Sequence, residues 1–177
     1  MPTQEQKSTT KVFRVLFLSR RGSARGLMAE AVLNRLGQGR FVAYSAGVEP
    51  AKGIEPEALE LLEVSGFDTR DLRPRHFAEF AKATAEPLDL VFTLSDTAAG
   101  EPMPEWPGLP VTSHWSYPDP VRATGEAWER KQAFSRVMKQ LERRIAALVN
   151  LRPEALDRMS LQAHVDALAE AETPHTA

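Results

Sequence analysis

The sequence predicts an α/β fold of three layers, a four-stranded parallel sheet with helices on both faces. Short β-prone apolar runs alternate with helix-patterned stretches, the order that winds a chain into parallel strands. Two of these runs end in small polar loops, at Ser19 and at Ser95. Ligands of open parallel sheets sit at that end of the strands.

The elements follow in order. Residues 1–10 are polar and read as a disordered arm. Lys11 to Leu18 reads as a buried strand, with Val12, Phe13, Val15, Leu16, Phe17 and Leu18 in one run. Leu27 to Leu36 reads as a helix with Met28, Ala31 and Val32 on its apolar face and Gly37 as its stop. Phe41 to Ser45 alternates like a strand, Glu57 to Val64 is helical, and Arg75 to Ala83 is expected to form a further helix. Leu88 to Leu94 repeats the logic of the first strand. Val111 to Trp115 is a short strand within a proline-rich stretch from Pro102 to Pro120 that must be largely loop.

The clearest helix carries Phe134, Val137, Leu141, Ile145 and Leu148 at spacings of three and four, with Thr124 as its expected N-cap. After Pro153, Leu161, Val165 and Leu168 mark a last amphipathic helix with Ser160 as the expected cap. The expected organisation is therefore an arm (1–10), one domain (11–150) and a C-terminal helical extension packed on it (151–177).

Composition narrows the chemistry. The 24 acidic and 22 basic side chains nearly cancel, so no global field recruits nucleic acid or membrane, and any anion binding must be local. No stretch is long and apolar enough to span a bilayer, and the polar start lacks a signal-peptide core, which reads as cytoplasmic. Cysteine is absent, which removes disulfides and thiolate nucleophiles. The four histidines show no metal-ligand spacing, and neither metal nor cofactor is expected.

The stretch Ser19-Arg20-Arg21-Gly22-Ser23-Ala24-Arg25-Gly26 lies between the first strand and the first helix. A strand that breaks into small residues and re-enters a helix gathers backbone N–H groups and the helix's positive end around one point. Its three arginines have no acid among them. Unit charges about 8 Å apart repel by roughly 2 kcal/mol at an effective dielectric near 20. The cluster therefore favours a counter-anion, or splays its arginines into water. Arg25 is the strongest candidate for gripping a tetrahedral oxyanion, because guanidinium offers a planar fork of donors.

A resemblance now becomes specific. The run Val15 to Glu30, then Tyr44-Ser45-Ala46-Gly47, Gly53-Ile54-Glu55-Pro56, Asp89 to Asp96, Trp106-Pro107-Gly108 and His114-Trp115-Ser116-Tyr117-Pro118-Asp119-Pro120 resemble, in order, the low-molecular-weight protein tyrosine phosphatase superfamily. Within it they are most similar to bacterial thioredoxin-coupled arsenate reductases. The resemblance implies a flavodoxin-like fold and a phosphate-binding loop of the form Cys-x5-Arg. In such proteins a cysteine thiolate attacks and an aspartate before proline is the general acid. Arg25 matches the loop arginine and Asp119 the acid, while Ser19 stands where the nucleophilic cysteine belongs.

The redox positions depart too. Ser95 stands at the second cysteine of the reductases and Met103 near the third. Within the loop, Arg20 and Arg21 replace small residues, Gly22 replaces an asparagine and Gly26 a hydroxyl residue. A thiol relay is impossible, and a serine hydroxyl normally needs an adjacent general base.

Three functions follow. The preferred one is a non-catalytic binder of phosphate, arsenate, sulfate or a phosphorylated protein or small molecule, through residues 20–26 with Arg25 central. The second is a phosphatase using Ser19 with Asp119. The third is an interaction or structural module, homodimer included, with a vestigial loop. Asp-Pro also opens turns, so Asp119 by itself is equally a structural residue. Trp106, Trp115, Tyr117 and Trp128 either pack the core or form an aromatic wall beside the anion site.

Overall fold

In the computed structural model, which describes residues 11–171, four parallel strands run in the order β2-β1-β3-β4. They are β1 (Phe13–Ser19), β2 (Phe41–Gly47), β3 (Leu90–Thr93) and β4 (Val111–His114). The register pairs Phe13 with Phe41, Val15 with Leu90 and Leu90 with Val111. The expected arm lies outside the described residues.

Alternation along β1 builds two cores. Val15 and Phe17 point to one face, where they join Met28, Phe92, Trp115, Phe134 and Leu141. Leu16 and Leu18 point to the other, with Ala46, Val91 and Trp106. The first face is covered by α1 (Arg25–Leu36), α4 (Ala127–Asn150) and α5 (Arg158–Glu170), with α2 (Pro56–Val64) outside α4. The Phe92 ring stacks on Trp115 at 4.0 Å and on Phe17 at 5.6 Å, which ties β1, β3 and the end of β4 together. The second face is covered by short pieces, α3 (Asp96–Gly100) and a 3-10 turn at Phe77–Phe80.

That turn corrects the expected helix over Arg75 to Ala83. The Gly47 N–H donates to the Arg75 carbonyl and Gly47 bridges His76, so the chain is held extended just where a helix would start. His76 then caps a single turn through its Nδ1, 3.1 Å from the Ala78 nitrogen. Two expected caps are also corrected. The cap of α4 is Glu126 rather than Thr124, its N–H donating to the Glu129 carboxylate at 2.7 Å. The cap of α5 is Asp157 rather than Ser160, and it is the Ser160 N–H that donates to the Asp157 side chain, at 2.7 Å.

Trp106, Trp115 and Tyr117 are buried, whereas Trp128 is exposed. The first three pack rather than forming an open wall. No helix among the described residues is long and apolar enough to cross a membrane.

Candidate functional site

The 19–26 stretch closes a tight loop between β1 and α1. Its shape is set by the chain that follows β2: Val48, Glu49, Ala51 and Glu55 donate their N–H groups to the carbonyls of Ser19, Arg20, Arg21 and Ser23. A trans peptide points its N–H opposite to its C=O. The N–H groups of Arg20, Arg21, Gly22 and Ala24 therefore turn to the other side. Gly22 makes the turn at φ +61°, and a Cβ there would lie 2.9 Å from the Gly47 nitrogen, so the position needs glycine twice over.

On that side lies a cavity of about 320 Å³ lined by the loop from Ser19 to Arg25 together with Glu55, Asp119, Val121 and Arg122. α1 opens onto the loop with no capping side chain and no acid in its first turn, which leaves its positive end unneutralised. Ser19, Ser23, Ala24 and Gly26 are buried. Arg20 is half-buried and Arg21 exposed.

Arg25 is 7 % exposed and donates to the Tyr117 carbonyl at 3.0 Å, with a second nitrogen 3.6 Å from Asp119 Oδ2. Burial pushes its guanidinium below the ordinary arginine value, and Asp119 opposes that. Asp119 caps the 3-10 turn Pro120–Arg122 by accepting from the Val121 N–H at 3.1 Å. It thus serves the turn and faces the loop at the same time.

Ser19 Oγ accepts from the Gly22 N–H at 3.1 Å. Among the described residues no imidazole or carboxylate is hydrogen-bonded to it. His114 is engaged elsewhere, with Nδ1 2.7 Å from Thr93 Oγ1 and Nε2 3.1 Å from Asp96 Oδ1. Ser95 caps α3 by accepting from the Ala98 N–H and lines the adjoining cavity with Arg20 and Arg25. Met103 lines a different cavity beside Trp106 and is not brought to the loop.

Three positions escape a reading by residue type. Glu30 is 4 % exposed, accepts from Ser45 Oγ at 2.7 Å and lies 3.7 Å from Arg75. Burial pushes its carboxyl up to about 7, against the Ser45 hydrogen bond and the Arg75 charge. Arg130 binds the Val121 and Ala123 carbonyls at 3.3 and 2.6 Å and Glu57 at 3.0 Å, so α4 fixes the Asp119 turn. Arg144 is buried beneath Trp115 and Tyr117 and lines the adjoining cavity. Glu30 lies three residues after Leu27 and Arg144 three after Leu141, spacings that put both on buried helix faces.

Comparison with known proteins agrees with this architecture. The model of the family described as low molecular weight phosphotyrosine protein phosphatase matches residues 14–162. An arsenate reductase of Shouchella clausii is 32% identical over 133 residues, covering 74% of this chain and 91% of the relative. The crystal structure of arsenate reductase from Archaeoglobus fulgidus is 26% identical, with a TM-score of 0.57 over 77% of this chain and 98% of that one. A structure described as an arsenate reductase in the phosphate binding state shares the fold at 24% identity and a TM-score of 0.59, over 79% of this chain and 98% of that one. With no cysteine anywhere in its sequence, the chain belongs to the low molecular weight phosphotyrosine protein phosphatase family.

Proposed function

We propose that this chain is a non-catalytic, oxyanion-binding member of its family, taking phosphate, arsenate or a similar anion in the Ser19–Gly26 loop. The observation that carries the reading is the orientation of the loop. Four peptide N–H groups turn away from the 48–55 segment, that of Gly22 onto Ser19 Oγ, while the buried Arg25 lines the adjacent cavity. An uncapped helix start adds its positive end. The fold neighbour described in a phosphate binding state is consistent with such a ligand.

Turnover is not part of the proposal. The Ser19 hydroxyl accepts a bond from its own loop, and the candidate base, His114, is bonded to Thr93 and Asp96. A hydroxyl without a base is a poor nucleophile. A vestigial loop has one observation in its favour, since Arg25 faces Asp119 at 3.6 Å and Arg20 faces Glu49 at 3.8 Å.

Thermal unfolding and calorimetric titration with phosphate, arsenate and sulfate separate the readings. A ligand at about one hundred times its dissociation constant adds roughly 2.7 kcal/mol of stability. Saturable stabilisation in the native chain and none in Arg25→Ala is expected. An absence of response in both chains leaves the vestigial reading, and turnover of an aryl phosphate abolished by Ser19→Ala would overturn the non-catalytic one.

A further inference from the structure

Beside the loop lies a second and larger cavity, of about 710 Å³, which shares Arg20, Arg25, Asp119 and Arg122 with the first. Ligand pockets for whole small molecules run from about 300 to 1,000 Å³. A tetrahedral anion held at the loop would leave this space unfilled, so a ligand that fills both carries a substituent beyond its oxyanion.

The lining says what kind of substituent. Besides Pro118, Ala169 and the arginines, it is lined by Thr97 and Ser116, with their hydroxyls, and by Asp96 and His114. Asp96 Oδ1 is shared by His114 Nε2 at 3.1 Å and Ser116 Oγ at 3.4 Å, while its side chain is 90% exposed. These groups both donate and accept, as alcohol recognition requires.

Trp115 and Tyr117 give no platform for aromatic stacking. Trp115 is 0 % and Tyr117 4 % exposed, and the Arg144 guanidinium lies 5.5 and 4.8 Å from their ring centroids, over the faces a ligand ring would need. Asp96, Asp119 and Glu170 offset most of the charge of Arg20, Arg25, Arg122 and Arg144 along this lining, which leaves room for one phosphate rather than two.

We infer that the ligand of this site is a phosphomonoester of a hydroxylated, non-aromatic molecule, a sugar or polyol phosphate. Its phosphate lies in the Ser19–Gly26 loop and its hydroxyls face Asp96, Thr97 and Ser116. The inference rests on the oxyanion reading.

Calorimetric titration of the full chain with inorganic phosphate, glucose 6-phosphate and phosphotyrosine tests it. Glucose 6-phosphate should bind about tenfold or more tightly than inorganic phosphate, a gain that one or two good hydrogen bonds supply. Phosphotyrosine should bind no more tightly than phosphate. In the double variant Thr97→Val, Ser116→Ala, both positions being exposed, the ratio of the glucose 6-phosphate to the phosphate constant should fall toward one. Phosphate binding with no gain for the sugar, or with phosphotyrosine the tighter ligand, overturns the inference and leaves the oxyanion site standing. Failure of all three to bind removes the oxyanion site itself, and the inference with it.

Discussion

Replacing Glu30 by glutamine should flatten the pH dependence of this protein's stability. Glu30 is buried on α1 between Ser45 and Arg75, and its carboxyl is pushed up to about 7 from an ordinary 4.5. Between those values the native chain holds a proton that the unfolded chain has released. Stability therefore falls as pH rises from about 4.5 to 7 and stays low above it. Each pH unit of separation is worth about 1.4 kcal/mol, so burying the ionised form costs about 3 kcal/mol above pH 7. A glutamine at this position carries no such cost, although its amide faces Arg75 with a donor. Urea unfolding of both chains from pH 5 to 8 measures the difference. The stability of Glu30→Gln relative to the native chain should improve by about 2.5 kcal/mol across that range. Parallel curves would refute the reasoning, and would mean that Arg75 closes from 3.7 Å to a full ion pair and keeps Glu30 charged throughout.

Two further perturbations probe the loop. Gly22→Ala forces a side chain into φ +61° and against the Gly47 backbone at 2.9 Å, so it should cost about 1–3 kcal/mol in chemical denaturation and weaken oxyanion binding; an unchanged midpoint would contradict the observed turn. Ser19→Cys should place a thiol beside the Gly22 N–H and the Arg25 guanidinium, giving it a lowered pKa and measurable turnover of an aryl phosphate that Asp119→Asn and Arg25→Ala abolish. Phosphate binding without any turnover in that variant would show that Asp119 does not serve as an acid.

The central strands were legible because β1 and β3 are runs of apolar residues buried on both faces, as Val15 to Leu18 is. The α4 helix was legible because Phe134, Val137, Leu141, Ile145 and Leu148 repeat at helical spacing and all are buried. The helix expected over residues 75–83 gives way to a single turn, because a tertiary bond from Gly47 to Arg75 holds the chain extended there. The caps misled because several polar residues compete before each helix, and only chain direction decides between Asp157 and Ser160. Arg25 and Asp119 line one cavity with the loop from Ser19, but the networks behind them do not appear in a list of motifs. Glu30 and Arg144 look like surface charges until their helix faces are drawn, and Arg130 reaches the Asp119 turn from a different element altogether.

The ion pairs themselves separate a binding loop from an ordinary charged surface. Away from the site, exposed or half-exposed opposite charges meet closely, Arg70 and Asp68 at 2.7 Å, Arg130 and Glu57 at 3.0 Å, Lys131 and Glu60 at 3.0 Å, whereas the buried Arg75 and Glu30 stand 3.7 Å apart. Around the loop they stand apart, Arg25 and Asp119 at 3.6 Å, Arg20 and Glu49 at 3.8 Å, Arg122 and Asp119 at 3.9 Å. Partners free to close would do so, since charge-assisted hydrogen bonds shorten to about 2.7–2.9 Å. Here Asp119 has another commitment, to the Val121 N–H, and Arg25 spends one nitrogen on the Tyr117 carbonyl while lining the cavity with Arg20 and Arg122. An arrangement that holds its own carboxylates just out of contact leaves the arginines under-neutralised, which is the charge balance the proposed oxyanion would complete.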